Sequence, residues 1–296
     1  MIERIDKRIL AAGASLAISI GIGNLLVPAA DAASPEDVAA ANHAAKQAAI
    51  VKVGGHAVEH TAEATASSVG HGHRANGGTP NDGKIPIGCT APAGSLITSG
   101  SPDGRRVALT FDDGPSVKYT PKILATLKHY GVHATFFEEG KHVHGRESLM
   151  TDILASGDEI GNHSYHHPEY PGYGELSSTN KRIKKATGFK PCLFRPPYGL
   201  VDGNVSSAAS RLGLEMVEWD VDSLDDKHPG VSAIKSNVLS QAQPGSIILM
   251  HDGGHHPQTV KALPGIIKGL RARGFGFDTV TELTGGHFIY AGENTK

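Results

Sequence analysis

The feature that most constrains the fold is an alternation of two hydrophobic patterns that begins near residue 105 and continues almost to the C-terminus. Short apolar runs rich in β-branched or aromatic residues, typical of buried strands, alternate with segments whose apolar residues recur every three or four positions, typical of helices. Strands separated by helices pair in parallel, because each helix returns the chain to the starting edge of the sheet. The pattern therefore predicts one α/β domain and not two lobes.

The sequence predicts about seven strand–helix units in this part of the chain. The first strand is predicted at residues 107–111, and the helix after it has Thr120 as its N-cap, Pro121 as its first residue and Gly131 at its end. Further strands are predicted at residues 134–137, 159–162, 192–194, 216–221, 246–250 and 277–280. Further helices are predicted at residues 148–155, 175–187, 205–212, 232–242 and 259–273.

A doubly wound open sheet and a barrel would both produce this order of elements. Polar clusters follow almost every predicted strand at its C-terminal end. Barrel enzymes carry their chemistry at that edge, so the clusters favour a barrel-like domain.

Residues 1–32 have the organisation of a secretory signal peptide. Three basic residues among the first eight precede an apolar stretch at 9–27, and an A-x-A-like site follows at 30–32. An uncleaved membrane anchor is the alternative, because the stretch approaches the ~20 residues that span a bilayer. Glycines within it favour cleavage. We therefore expect a secreted protein, extracellular or associated with the cell wall, that touches the membrane only if this segment stays uncleaved.

Residues 33–86 are predicted to be a disordered, low-complexity linker. Ala, His, Gly, Ser and Asn dominate there, and too little apolar surface is available to offset the entropy of ordering the chain. The domain with the strand–helix pattern then accounts for residues 87–296.

Charge and cysteine content narrow the class of protein. The formal net charge is -2, so there is no electrostatic case for nucleic acid binding. The two cysteines, Cys89 and Cys192, match no zinc ribbon and form either one disulfide or two free thiols. Export to an oxidising compartment favours the disulfide.

Two adjacent carboxylates, Asp112 and Asp113, end the first predicted strand in the sequence T-F-D-D-G-P-S. Side chains alternate along a strand, but the Gly-Pro turn relaxes that constraint and lets both acids reach one pocket. Two like charges held together are costly unless a cation or a proton compensates them, so the pair requires a metal ion or a base with a shifted pKa. A surface turn with two solvated acids is the structural alternative.

A second polar cluster, N-H-S-Y-H-H-P, places His163 and His167 four residues apart. Pro168 disfavours helix at His167, so we expect a loop. Two histidines and one carboxylate form a metal triad that leaves positions open for water and substrate. With Asp113 available from an earlier strand end, these three side chains are candidate metal ligands.

Three further clusters follow later strands. In F-R-P-P-Y-G, two prolines stiffen a loop that presents Arg195 and Tyr198, and the guanidinium either keeps a carboxylate of the site ionised or pairs with a surface acid. W-D-V-D-S-L-D-D contains the only tryptophan, Trp219, among acids of which some will be solvated. I-I-L-M-H-D ends a buried strand at His251, which is either an acid or base or a hydrogen-bonded core histidine.

Taken together, T-F-D-D-G-P-S, H-S-Y-H-H, R-P-P-Y-G, W-D-V-D-S-L-D and L-M-H-D resemble, in order and approximate spacing, the five motifs of the polysaccharide deacetylases, carbohydrate esterase family four. The resemblance covers about residues 105–283, with A-T-F-F-E-E-G and G-D-E-I-G-N-H as supporting stretches. It implies a distorted (β/α) barrel with about seven parallel strands and a single catalytic domain.

The resemblance also implies roles for the matching residues. Asp113, His163 and His167 would bind a divalent metal, expected to be Zn²⁺, with Co²⁺, Mn²⁺ or Ni²⁺ as alternatives. Asp112 would be the general base, and His251 would be the general acid that protonates the departing amine.

Further roles are implied around these groups. Arg195 would pair with Asp112, and Asp225 would pair with His251. The backbone N–H of Tyr198 would stabilise the oxyanion. The remaining expected substrate contacts are Pro197, Trp219 and Leu249.

The fourth motif departs from the family pattern, which usually ends Asp-Trp, because Asp225 is followed here by Asp226. That tryptophan normally lines the substrate groove, so its wall must come from another residue or be more open. We expect a monomeric hydrolase that removes acetyl groups from N-acetylglucosamine units of peptidoglycan or a chitin-like polymer. A xylan O-deacetylase is the alternative enzyme, and a non-catalytic glycan-binding module is the alternative of another class.

Overall fold

The computed structural model describes residues 84–91 and 96–292. The predicted signal segment at 1–32 and the predicted linker as far as residue 83 lie outside the described residues. Among the helices in the described ranges, none is both long and apolar enough to cross a bilayer.

The described residues form short strands alternating with helices. The strands are β1 (Gly88–Thr90), β2 (Arg106–Gly114), β3 (Thr135–Glu138), β4 (Glu159–Asn162), β5 (Leu193–Phe194), β6 (Glu215–Met216), β7 (Val221–Asp222), β8 (Ile247–His251), β9 (Gly276–Phe277) and β10 (His287–Ile289). The helices are α1 (Thr120–Tyr130), α2 (Gly140–Val143), α3 (Glu147–Ala155), α4 (Tyr173–Thr187), α5 (Gly203–Leu212), α6 (Val231–Gln241), α7 (Pro257–Ala272) and α8 (Val280–Leu283). Two short 3₁₀ turns lie at Pro197–Gly199 and Asp225–Lys227.

Seven parallel strands form the main sheet in the order β6-β5-β4-β3-β2-β8-β7, and β9 pairs with the start of β2. Neighbouring strands follow the chain around the sheet, as in a barrel, whereas a doubly wound sheet reverses its order at a switch point. The seven strands curl into a half-barrel surrounded by helices. The predicted barrel-like fold is confirmed, with an opening between β6 and β7.

The central strand β2 is buried over most of its length, because helices cover the outside of the sheet and side chains fill its inside. Phe111 of β2 stacks on Phe136 of β3 with ring centroids 5.1 Å apart. Ile123 and Leu127 of α1 are buried in the same core. This rigid centre holds the C-terminal ends of β2, β3, β4 and β8 at one edge of the sheet.

The prediction of one continuous strand at 216–221 is wrong. Two short strands replace it: β6 pairs with β5 at one end of the sheet, and β7 pairs with β8 at the other. Between them the backbone carbonyls of Val217 and Glu218 accept hydrogen bonds from the guanidinium of Arg195, at 3.3 and 3.1 Å. The chain therefore crosses the opening of the half-barrel here, because a buried side chain binds the carbonyls that a longer strand would pair.

The prediction of Thr120 as N-cap is also wrong. Thr120 is the first residue of α1, and the N-cap position belongs to Tyr119, which makes no side-chain cap. The Thr120 hydroxyl donates to the buried carboxyl of Asp252 and accepts from the backbone N–H of Ser116. The hydroxyl predicted to cap the helix thus hydrogen-bonds to Asp252, a residue distant in sequence.

The strand predicted at 277–280 ends early, at Phe277. Thr279 and Glu282 form a capping box, in which each side chain accepts a hydrogen bond from the other residue's backbone N–H, and α8 begins at Val280. The T-x-x-E spacing at residues 279–282 is the local sequence signal for this helix start.

A small antiparallel pair, β1 with β10, was not predicted. Cys89 of β1 and Cys192, just before β5, form a disulfide that joins residues 103 positions apart. Of the two states left open by the sequence, the oxidised one is present.

Candidate active site

The two acids of the first motif lie at the end of β2, where the strand becomes irregular. The register against β3 shifts between Asp112 and Gly114, and Asp113 adopts a left-handed backbone conformation with φ 72°. This conformation is uncommon for a residue with a side chain, and here it turns both carboxylates toward the same histidine. The Nε2 atom of His163 lies 3.8 Å from Oδ2 of Asp112 and 3.3 Å from Oδ1 of Asp113.

Asp113, His163 and His167 converge. Nε2 of His167 lies 3.4 Å from Oδ1 of Asp113, and one candidate ligand atom from each of the three residues falls within 4.8 Å of the other two. His163 donates its Nδ1–H to the carbonyl of Arg195 at 2.7 Å, which directs the Nε2 lone pair into the site. The loop prediction for His167 is confirmed, since its φ is 62°.

One observation tests whether this cluster suits a cation. The Oδ1 atom of Asp113 is buried and accepts no hydrogen bond from the described residues, although two imidazole nitrogens face it. A buried carboxylate oxygen without a donor is costly unless something positive compensates it. One carboxylate and two imidazoles are ligands that suit Zn²⁺ and similar divalent metals. The residues therefore fit a divalent cation.

The environment within the cluster favours the ligating forms of Asp113 and His167. Burial would raise the pKa of Asp113, but the contact with His163 and the charge of His251 lower it well below its ordinary range. Burial and the neighbouring His163 lower the pKa of His167 to about 4, so His167 is neutral near pH 7. Burial opposes protonation of His163, while the charges of Asp112 and Asp113 raise its pKa.

Arg195 is fully buried and anchors Asp112. Its Nη1 donates to Oδ1 of Asp112 at 2.8 Å and to the hydroxyl of Thr110 at 2.7 Å. The guanidinium lies over the ring of Phe137, with its central carbon 4.2 Å from the ring centroid. The alternative of a surface ion pair for Arg195 is excluded, because both partners are inside the protein.

His251 ends β8 directly beside Asp112, since the two residues are in register across adjacent parallel strands. Its Nδ1–H donates to Oδ1 of Asp225 at 2.7 Å, and its backbone N–H donates to Oδ2 of the same carboxylate at 2.9 Å. Burial opposes protonation of His251, but Asp225 raises its pKa well above the ordinary value. The His251–Asp225 pairing expected from the resemblance is therefore present in the geometry.

Sequence reasoning missed His256 and Thr259, which support this pair. The ring of His256 stacks on that of His251 with centroids 5.1 Å apart, and Thr259 donates its hydroxyl to Asp225 at 2.5 Å. His256 belongs to H-D-G-G-H-H, directly after the fifth motif, and that run of histidines was the available signal.

A second triplet of potential ligands, formed by Asp225, His251 and His256, lies in this region. Its carboxylate is already hydrogen-bonded to His251. A third triplet contains Cys89 and Cys192, whose sulfurs are joined in the disulfide.

Buried acids behind the site were also missed. Glu138 and Asp252 are both fully buried, and a side-chain carbon added to Gly114 would lie 2.5 Å from Asp252 and 2.7 Å from Glu138. Burial and the charges of neighbouring acids raise the pKa of both, to about 7 for Asp252. The A-T-F-F-E-E-G stretch contained Glu138, but nothing in its pattern showed that the side chain points inward.

The residues expected to contact the substrate differ in their burial and in their position relative to the cluster. The Tyr198 ring lies 4.5 Å from the ring of His167, and Tyr198 has a left-handed backbone, with φ 57°. Trp219 is buried beside Arg195 and Gly199 and does not form an open wall. Pro197 is buried in the turn before Tyr198.

Leu249 lies on the same face of β8 as His251 and is 5% exposed. Asp226, where the family usually has tryptophan, is half-buried and pairs with Lys227 at 3.1 Å. The position therefore carries a charged pair where the family pattern has an aromatic side chain.

Comparisons with known proteins place this geometry in a family. The polysaccharide deacetylase profile matches residues 99–217. The chain is 38% identical over 187 residues to the peptidoglycan-N-acetylglucosamine deacetylase PgdA of Listeria monocytogenes, covering 61% of this chain and 39% of that protein. It is 40% identical over 174 residues to a bifunctional xylanase/xylan deacetylase of Cellvibrio japonicus, covering 57% of this chain and 26% of that protein. The chain thus spans well under half the length of either relative.

A solved structure matches more completely. The peptidoglycan N-acetylglucosamine deacetylase Bc1960, in complex with 4-naphthalen-1-yl-N-oxidanyl-benzamide, is similar with a TM-score of 0.62 and 35% identity. The match covers 64% of this chain and 92% of that chain. With the five motifs in order and this degree of identity over nearly a whole relative, the chain belongs to the polysaccharide deacetylase family.

Proposed function

We propose that the protein is a secreted, metal-dependent hydrolase that removes acetyl groups from the N-acetylglucosamine units of a polysaccharide, either peptidoglycan or a chitin-like polymer. The observation that carries this proposal is the convergence of Asp113, His163 and His167, with Asp112 beside them and His251 on the next strand. The names of the similar proteins support the class of substrate. Secretion rests on the signal-like segment at 1–32.

Asp113, His163 and His167 would hold the divalent cation, which we propose to be Zn²⁺, with Co²⁺, Mn²⁺ or Ni²⁺ as alternatives. When bound there, such a cation supplies Lewis-acid chemistry: it polarises an acetyl carbonyl and makes water more acidic. The neutral form of His167 and the ionised form of Asp113 are the forms that such binding needs.

Asp112 would act as the general base that takes a proton from the attacking water. The hydrogen bond from Arg195 holds its Oδ1, while Oδ2 is the oxygen that faces His163. This division fixes the orientation of the carboxylate. The backbone N–H of Tyr198, in the loop next to His167, would stabilise the oxyanion.

His251 would donate a proton to the departing nitrogen from Nε2, because Nδ1 is bound to Asp225. An amide nitrogen leaves poorly without that proton, so the raised pKa of His251 suits amide hydrolysis at neutral pH.

Acetate release from chitooligosaccharide, peptidoglycan and acetylxylan, measured side by side, tests the function. We expect release from the first two, loss of release after chelation, and recovery with added Zn²⁺. His167→Ala should abolish release, whereas His144→Ala, which removes an exposed histidine, should not. Release that survives complete chelation would overturn metal dependence.

An acetylxylan O-deacetylase is the second candidate, favoured by the 40% identity to the bifunctional xylanase/xylan deacetylase. Preferential release from acetylxylan would select it. We further propose a monomer that acts outside the cell or in the cell wall. Glycan binding without acetate release from any of the three substrates would identify a non-catalytic module instead.

A further inference from the structure

A basic groove lies next to the candidate active site. It has a volume of about 470 Å³ and is open to solvent, between α4 and the loop that carries the two histidine ligands. Its lining includes Tyr165 and His166 from the loop. The side chains that α4 contributes are Glu175, Ser178, Lys181, Arg182 and Lys185.

The groove carries a net positive charge, because three cationic side chains outnumber the one acid in its lining. Glu175 accepts hydrogen bonds from the backbone N–H groups of Tyr165 and His166, at 3.0 and 2.8 Å, and from the ring of His166 at 2.9 Å. These bonds lower its pKa despite partial burial, so it remains a bound carboxylate. Its charge is directed at the loop and not across the groove.

The lysines have no such partner. Lys181 and Lys185 are exposed, and neither forms an ion pair with any residue at 84–91 or 96–292. Arg182 is half-buried and donates a hydrogen bond to the Tyr165 hydroxyl at 3.2 Å. It also interacts electrostatically with Glu147. Since residues 181 and 185 are one helical turn apart, about 6 Å along the axis, both ammonium groups can face one ligand.

The groove is continuous with the catalytic loop. Tyr165 and His166 lie in sequence between His163 and His167, and the loop is tied down by the Glu175 bonds and by the hydrogen bond from the Lys141 N–H to the Tyr165 carbonyl at 3.1 Å. The groove is therefore formed on the same loop that presents His163 and His167 to the cluster. A substituent on a glycan held at that cluster would have to cross this loop to meet the lysines.

We propose that this groove binds the carboxylates of a peptide attached to the glycan, and that it gives the enzyme a preference for peptide-bearing peptidoglycan over an uncharged chitin-like polymer. This inference rests on the proposed function and specifies its substrate. Exposed ammonium groups each contribute modestly to such binding, but two acting together change affinity measurably.

The test compares two substrates and two double variants. The substrates are a soluble peptidoglycan fragment that carries its peptides and a chitooligosaccharide of equal sugar number. The groove variant is Lys181→Gln with Lys185→Gln. The matched control is Lys184→Gln with Lys190→Gln, which neutralises two exposed lysines that do not line the groove. Acetate release and calorimetric binding are measured for each protein at low and high salt.

We expect the groove variant to lose roughly three- to ten-fold in kcat/KM on the peptide-bearing fragment, mostly through KM, and to be unchanged on chitooligosaccharide. The loss should shrink at high salt, and the control should match the unsubstituted protein. Equal losses of kcat/KM on both substrates, or no loss on the fragment, would contradict the proposal that the groove binds the peptide. If the unsubstituted protein released no acetate, the proposed function would fail. Binding would still test the groove: the unsubstituted protein should bind the fragment in a salt-dependent way, and the groove variant should bind it more weakly.

Discussion

Asp112 and His251 occupy matching positions on β2 and β8, so the proposed base and acid are neighbours across one pair of parallel strands. Each is held from behind by a group of opposite charge: Arg195 donates to Asp112 at 2.8 Å, and His251 donates to Asp225 at 2.7 Å. The two proton-transfer groups therefore have separate supports on a rigid sheet, and each support can be removed without deleting the group it holds.

Removing the proposed base should reduce turnover without unfolding the protein. Asp112→Asn keeps the shape of the side chain but cannot accept the proton, and we expect kcat to fall by about 10²- to 10⁴-fold. Initial rates of acetate release measure the effect. The control is Asp152→Asn, which alters an exposed acid outside the site, and equal losses in the two variants would argue against a special role for Asp112.

Removing the partner of Asp112 should reduce stability. Arg195→Met leaves the buried Asp112 carboxylate without its ion pair and frees the carbonyls of Val217 and Glu218. Loss of one partner of a buried pair typically costs about 3–5 kcal/mol in the free energy of unfolding. Urea unfolding followed by circular dichroism would measure it. A change below about 1 kcal/mol would show that Asp112 is not buried as a charge.

The pH–rate profile should depend on Asp225. As the proposed general acid, His251 must be protonated to donate, so its pKa should set the alkaline limb of the profile, and Asp225 raises that pKa. Asp225→Asn should move the alkaline limb to lower pH by about one to three units. An alkaline limb at the same pH in both proteins would remove Asp225 from this role.

The same pair makes a pH-dependent contribution to stability. The folded pKa of His251 lies above its ordinary 6.5, so its contribution is complete below about pH 6.5 and is lost as the pH rises through the folded value. The folded pKa of Asp225 lies below its ordinary 3.8, so its contribution is present above that pH and is lost on acidification. The stability lost in Asp225→Asn should therefore be greatest between about pH 4 and 6.5. Unfolding measured at three pH values checks the sign.

A divalent cation should stabilise the protein independently of catalysis. Binding to the folded state alone raises the free energy of unfolding by about 2.7 kcal/mol when the free cation is at 100 times its Kd. We expect Tm to rise when Zn²⁺ is added to metal-free protein and not to rise in His167→Ala. An equal rise in both proteins would show that the cation binds elsewhere.

The disulfide should contribute to stability because it closes a long loop in the unfolded chain. Cys89 and Cys192 are 103 positions apart, and loops of about 100 residues give up to ~4.7 kcal/mol in the chain-entropy estimate, although measured values are commonly 2–4 kcal/mol. The double variant Cys89→Ser with Cys192→Ser should therefore have a lower Tm than the oxidised protein. An unchanged Tm would mean that the pairing adds nothing to the fold.

The amino-acid sequence by itself determined the parallel α/β architecture and the identities of the clustered residues. The carboxyl ends of parallel strands meet at one edge, so polar groups after β2, β4 and β8 had to approach one another. The motif order then specified which of them belong together, including Asp113, His163 and His167. The architecture needed only local periodicity, whereas the grouping of the site residues also rested on the resemblance of the five motifs to the polysaccharide deacetylases.

Tertiary structure alone decided the details on which the proposed chemistry depends. The left-handed backbone of Asp113, the register that aligns Asp112 with His251 and the stacking of His256 on His251 all require partners distant in sequence. The guanidinium of Arg195 likewise binds the carbonyls that interrupt the strand predicted at 216–221. Local pattern carries no information about such contacts, because their energy comes from groups that only the folded chain brings within hydrogen-bonding distance.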